Sequence, residues 1–163
     1  MVAEAIRALV LAARTLWPTY DARNIPELAA HNATPAISAP LLVAIAYHES
    51  RFTSTAVSRV KRKNGSTALF CGITQATAKN EADCVALRDD ATAIARTIDE
   101  LQKWEAMCVR LHAGNPGKPV RFDECALAGY AEGMAGARRG TNRNARMKLS
   151  TQRKLERMTI NGQ

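Results

Sequence analysis

The stretch LLVAIAYHESRF, Leu41 to Phe52, constrains the fold more than any other. Pro40 stands before it, where a helix's first turn tolerates proline. Leu42, Ile45, Glu49 and Phe52 are spaced by three, four and three residues, so a helix places them on one side. Three of the four are apolar. The spacing predicts a buried helix from about Pro40 to Ser50 with one carboxylate in its apolar stripe. Burial among aliphatic side chains disfavours a carboxylate's charged form. A carboxyl group kept protonated in this way can serve as a general acid. The plainer alternative is a glutamate that reaches solvent at the helix end or pairs with Arg51.

Other helices follow from the same periodicity. Ile6, Leu9, Val10, Ala13 and Trp17 give an amphipathic helix over Val2–Leu16, stopped by Pro18. A short helix is expected around Pro26–His31, and TPAISAP reads as loop. Asn64-Gly65 lies between two short segments suited to strands, which predicts a hairpin within Ala56–Phe70. CGITQATAKN reads as a turn into a short helix. A long helix is expected over Asp90–His112, capped by Asp89 or Asp90 and ended by AGNPGKP. Further helices are expected at Phe122–Ala131 and at Thr151–Met158, the latter capped by Ser150. The glycines and arginines of GMAGARRGTNRNAR suggest a mobile or functional loop. The fold class is therefore α+β, mostly α-helical, with one small hairpin. The 163 residues contain no internal repeat and no linker, so one domain is expected over 1–163, ending in a basic segment at about 138–163.

Charge and cysteine content narrow the setting. The net charge is +8 and the pI about 9.7. Arg138, Arg139, Arg143, Arg146, Lys148, Arg153, Lys154 and Arg157 face only Glu156 in the last stretch. Such a segment favours a polyanionic partner, or simply forms a solvated surface. No run is long and apolar enough for a membrane span. Aromatic content is 5% and no DNA-reading motif is present, so nucleic acid is not the expected partner. Cys71, Cys84, Cys108 and Cys125 form no C-x-x-C pair, so no metal site is expected, and no cofactor. Two disulfides fit, and of three pairings Cys71–Cys84 with Cys108–Cys125 closes the shortest loops. Four buried free thiols are the alternative. Disulfides imply an oxidising compartment, yet Glu4, Arg7 and Arg14 interrupt the first apolar segment, which does not resemble a signal peptide. His31, His48 and His112 lack metal-ligand spacing and read as structural.

ESRFTSTAVS, Glu49 to Ser58, resembles the E-S-x-F-x-x-x-A-x-S signature of lytic transglycosylases and goose-type lysozymes. CGITQ resembles that family's G-[LI]-x-Q element. ATAIARTIDEL stands where the family has its long central helix. ALAGYAEGMAGARR resembles A-x-x-Y-N-x-G. The resemblance covers about Leu41 to Arg139 and implies a lysozyme-like fold. It implies that Glu49 is the catalytic acid and base, with Ser50 orienting substrate or Glu49. It implies that Gln75 lines the sugar groove with the backbone of Ile73 and Thr74, and that Tyr130 brings its hydroxyl near Glu49. Gly72 and Gly133 would admit close approach of a sugar chain. Ala131 replaces the family's Asn, and Glu132 beside it is a candidate second acid.

The reaction type turns on that second acid. An inverting hydrolase needs another carboxylate ~6.5–9.5 Å from the first. No Asp or Glu occurs between Glu49 and Glu81, though Asp83, Asp89 and Glu132 could enter a cleft. With one carboxylate, the N-acetyl group of the substrate can stabilise the developing charge. The expectation is a monomeric peptidoglycan lytic transglycosylase acting on glycan strands outside the cytoplasm, phage-encoded or associated with a secretion system. A hydrolysing muramidase is the near alternative. A non-enzymatic basic binding protein on the same scaffold is the distant one.

Overall fold

The computed structural model describes residues 2–114 and 120–161. It contains α1 (Val2–Leu16), α2 (Ile25–Asn32), α3 (Ala39–Ser50), β1 (Val57–Lys61), β2 (Thr67–Cys71), β3 (Ala76–Ala78), α4 (Glu81–Ala86), α5 (Asp90–His112), α6 (Phe122–Glu132), α7 (Met134–Arg139) and α8 (Arg143–Asn161). The class is α+β and mostly helical. The chain divides into two compact units, Met1–Thr97 with Thr151–Gln163, and Ile98–Ser150. No helix among the described residues is long and apolar enough to cross a membrane.

In the first unit α3 is the centre of packing. Leu42, Val43, Ala44, Ile45 and Ala46 are all fully buried, so this half of the helix is enclosed on every side and not along one stripe. Ser38 caps it, its hydroxyl accepting from Leu41 N at 3.4 Å. Ile25 and Ala29 of α2 are fully buried, and so are Ile73, Leu87, Ile94 and Leu155. Exposure begins at Tyr47, where the helix leaves the core. There Trp17 stacks on Tyr47 with ring centroids 4.2 Å apart, and the edge of Phe52 closes the cluster 5.4 Å from Trp17.

The expected hairpin is present, with a longer connection than a two-residue turn. β1 and β2 pair antiparallel from Val57↔Cys71 to Lys61↔Thr67. Gly65 has φ +82°, and Asn64 Oδ1 accepts from Ser66 N and Ser66 Oγ at 3.1 and 2.7 Å. After Cys71 the chain makes the expected turn but reaches the expected short helix, α4, only after a strand. It turns through Gly72–Gln75 and returns as β3, with Cys71↔Ala76 and Leu69↔Ala78 in register. Three strands therefore form the sheet, in the order β1-β2-β3. The three residues of β3 are too few to carry a period of two.

The second unit holds the larger corrections. GMAGARRGTNRNAR is mostly helical: it forms α7 and the start of α8. Gly136 permits this, because a Cβ there would lie 2.1 Å from Ala128 O. Gly140 ends α7 at φ +73°. Asn142 Oδ1 then accepts from Ala145 N at 2.6 Å, so Asn142 caps α8 and Ser150 lies inside it. Lys148, expected in a basic surface segment, is fully buried, with Nζ 5.6 Å from the centroid of the Tyr130 ring. Residues 115–119 of the AGNPGKP break lie outside the described residues.

Both disulfides join the nearest cysteines, Cys71–Cys84 in the first unit and Cys108–Cys125 in the second. Cα separations are 5.3 and 6.1 Å. The paired cysteines are 13 and 17 positions apart, and closing a loop of this size stabilises a fold by about 3 kcal/mol through the unfolded chain. Replacing Cys71 and Cys84 together by Ser is therefore expected to lower the unfolding free energy by about 2–4 kcal/mol. Urea titration of wild type and variant measures this, and equal midpoints would contradict it.

Candidate functional site

Glu49 is the next-to-last residue of α3 and is half-buried. The two residues after Ser50 fix the end of its helix. Arg51 N donates to Tyr47 O at 2.9 Å and Phe52 N to Ala46 O at 3.4 Å, the paired bonds of a Schellman cap. Such a cap usually uses glycine in the left-handed region. Here Arg51 (φ +55°) and Phe52 (φ +62°) both adopt it, at a cost of about 1–2 kcal/mol each. The surroundings hold them there. The Arg51 guanidinium lies 4.2 Å above the Tyr47 ring and donates to Tyr47 O at 3.0 Å. Phe52 is buried in the aromatic cluster.

Ser50 ties this helix end to the sheet. Its hydroxyl donates to Ile73 O at 2.6 Å and accepts from Thr53 N at 2.9 Å. The Gly72–Gln75 turn that receives it is itself tightly bound. Gly72 has φ +78°, and a Cβ there would stand 2.0 Å from Leu87 O. The freedom of Gly72 thus serves packing against Leu87 within the protein. Gln75 is buried at φ +54°. Its Nε2 donates to Gly72 O and Ala56 O, both at 3.0 Å, and its Oε1 accepts from Ser58 Oγ at 2.7 Å. Ile73 and Thr74 are fully buried. Thr74 Oγ1 accepts from Thr97 Oγ1 at 2.7 Å. Of the residues implied to meet sugar, Glu49 and Ser50 are therefore partly exposed, while Ile73, Thr74 and Gln75 are the buried frame behind them.

The other implied residues lie in the second unit. Tyr130 is half-buried near the end of α6, with Lys148 against its ring. Glu132 is exposed and accepts from Asn142 Nδ2 at 2.9 Å while pairing with Arg139. Gly133 ends α6 at φ +63° and ψ −147°, a conformation suited to glycine alone, and a Cβ there would meet nothing within 4 Å.

The remaining carboxylates considered for a second acid are also engaged. Asp83 takes a two-pronged bond from Arg96, at 3.0 and 3.1 Å, and another from Lys79 N at 2.9 Å. The Arg96 hydrogen bonds hold its carboxyl below the usual value of 3.8. Asp89 accepts from Thr92 Oγ1 and Thr92 N at 2.7 and 2.9 Å, capping α5, and the Thr92 bonds lower its carboxyl likewise. His48 Nε2 meets Thr151 Oγ1 and His112 Nε2 meets Ala137 O, each at 2.8 Å. No group of three or more His, Cys, Asp or Glu side chains placed to hold a metal ion occurs among the described residues.

One residue at the site carried no signal in the sequence. Arg23, 29 positions before Phe52, donates from Nη2 to Phe52 O at 3.0 Å and to Ser54 Oγ at 2.6 Å. An open depression of about 380 Å³ runs along this turn between Asp21, Arg23, Arg51 and Thr53–Thr55. Glu49 does not line it.

No family model, no curated protein and no solved structure matches this chain.

The Asp83–Arg96 pair sets an acid dependence. A carboxyl held low in the fold contributes stability above its unfolded value and loses it as pH falls through the folded one. Asp83→Asn is expected to destabilise at pH about 7, with the gap to wild type closing as pH falls below the ordinary value of 3.8. Urea midpoints across that range measure it; a gap that persists at low pH would refute the assignment.

Proposed function

We propose that this chain is a peptidoglycan lytic transglycosylase using Glu49 as its single catalytic carboxylate. The reading rests on one arrangement. Glu49 stands where a buried helix emerges, on a helix end fixed by strained and bonded neighbours. The carboxylates that could have served as a second acid, Asp83, Asp89 and Glu132, are each bound to a guanidinium, a hydroxyl or an amide. The sequence motifs around Glu49 supply the substrate class by resemblance.

The chemistry then needs one group acting twice. Protonated Glu49 donates to the glycosidic oxygen between MurNAc and GlcNAc as the C1–O bond breaks. The N-acetyl carbonyl oxygen of the MurNAc stabilises positive charge at C1. The 6-hydroxyl of the same sugar then attacks C1 and gives its proton to the Glu49 carboxylate. The product is a 1,6-anhydro ring, and no water is consumed. Ser50 serves this scheme by holding the helix end against Ile73 O. The resemblance assigns the Tyr130 phenol to the same reaction. The two disulfides fit an extracytoplasmic place of action. The exposed cations Arg153, Lys154 and Arg157 favour a second reading, a polyanion-binding protein, whose mark would be binding that weakens steeply with salt.

Glu49→Gln is expected to cut wall lysis by roughly 10²–10⁴-fold while leaving the melting temperature within about 2 °C. Lysis at the wild-type rate would remove Glu49 from the mechanism. Mass spectrometry of the released muropeptides separates the two enzymatic readings. Anhydro ends lighter by one water are expected, and reducing ends of full mass would make the protein a muramidase.

Tyr130→Phe keeps the ring against Lys148 and removes only the hydroxyl. It is expected to slow lysis by roughly tenfold or more with little change in thermal unfolding. An unaltered rate would take Tyr130 out of the reaction.

A further inference from the structure

Arg23, Arg51, Phe52 and Gln75 are the non-glycine residues at positive φ among the described residues. They come from three separate stretches of the sequence and are bound into one region. Arg51 and Phe52 directly follow the Glu49–Ser50 pair. Gln75 closes the turn whose Ile73 carbonyl receives the Ser50 hydroxyl. Arg23 reaches across 29 positions to bond the Phe52 carbonyl. Its own left-handed backbone is set locally, by Arg23 N donating to Asp21 Oδ1 at 2.9 Å. Strain gathered in one place and held by long-range bonds marks a region whose geometry matters for more than folding.

We propose that Arg23 is a positioning residue for Glu49, and that it acts by clamping the Arg51–Phe52 turn. The inference rests on the catalytic reading of Glu49. A Schellman cap built on arginine and phenylalanine has no glycine to make its conformation easy. Without an outside hold, the turn relaxes toward negative φ and the last turn of α3 unwinds. Glu49 sits in that last turn, so its carboxyl moves with it. Arg23 supplies the hold from one side, through Phe52 O and Ser54 Oγ. Ser50 supplies it from the other, through Ile73 O and Thr53 N. The carboxyl of Glu49 is thus aimed by two clamps whose far ends lie outside its own helix.

Arg23→Met keeps the length of the side chain and removes the guanidinium, and Arg23→Lys keeps a donor. With soluble glycan strands as substrate, Arg23→Met is expected to lower kcat by roughly 10- to 100-fold with KM within about twofold. Arg23→Lys should recover part of the loss. Adding Arg51→Gly to Arg23→Met relieves the left-handed strain at one of its two positions and should recover at least about threefold of the lost kcat. Hydrogen exchange gives a readout independent of activity: the Thr53 amide, bonded to Ser50 Oγ, should exchange at least about tenfold faster in Arg23→Met. Unchanged kcat together with unchanged Thr53 exchange would overturn the clamp. A kcat loss that Arg51→Gly leaves unrepaired would equally overturn it. Wild-type protein without wall activity would defeat the catalytic reading instead, and the clamp would then stand or fall on the exchange rate alone.

Discussion

The hydroxyl of Ser50 is the bond on which the site depends. It donates to Ile73 O and accepts from Thr53 N, so one oxygen joins the end of α3, the loop after it and the turn after β2. Each of those parts has its own reason to be where it is. α3 is centred by burial of Leu42 through Ala46. The Gly72–Gln75 turn is drawn tight because only glycine fits against Leu87 O. The Gln75 amide then bonds three further groups across the turn and β1. Ser50 converts these separate constraints into a fixed place for the residue just before it. In an interior of low dielectric, hydrogen bonds linked in this way hold geometry better than isolated pairs.

Much of this fold could be read from the sequence, for a physical reason. α1 and α5 bury one apolar face each, and such burial leaves a period in the sequence, while α3, enclosed on every side, shows as the continuous apolar run Leu41–Ala46. The hairpin announced itself through Asn64-Gly65, where the backbone needs a residue at positive φ. The disulfides followed from spacing, since the nearest cysteines close the shortest loops. β3 could not be read, because Ala76–Ala78 is a strand only by pairing with β2. α7 and the start of α8 were hidden by glycines and arginines that read as loop. Tertiary fit overrides local preference where Gly136 passes under Ala128 O and Asn142 caps the next helix.

The candidate site divides in the same way. Glu49 and Ser50 were legible because they sit in a local motif with a helix around it. The burial of Ile73, Thr74 and Gln75 was not, since a motif states which residues recur and not which way they face. Lys148 lay in a run of cations and read as part of a solvated segment. It is buried against Tyr130 because helical geometry gives one position of that run an inward direction. Arg23 was invisible, since nothing in residues 21–24 refers to a carbonyl 29 positions later.

The place of β1 in the sheet has a consequence of its own. It is an outer strand of a sheet ordered β1-β2-β3, and Ser58 through Lys61 are exposed along it. A flat exposed strand with free backbone donors and acceptors is a template for another chain, and proteins commonly blunt such edges with charge. Arg59 and Lys61 lie in this strand, with Arg62 and Lys63 next in the loop. Arg59 is paired with Glu81, and the charges of Lys61, Arg62 and Lys63 beside it discourage a second strand from adding to this edge. The same cations can still face an acidic polymer, whose charges are opposite and whose backbone offers no strand to pair. One row of side chains thereby guards the strand edge while leaving its charge open to an anion of another shape.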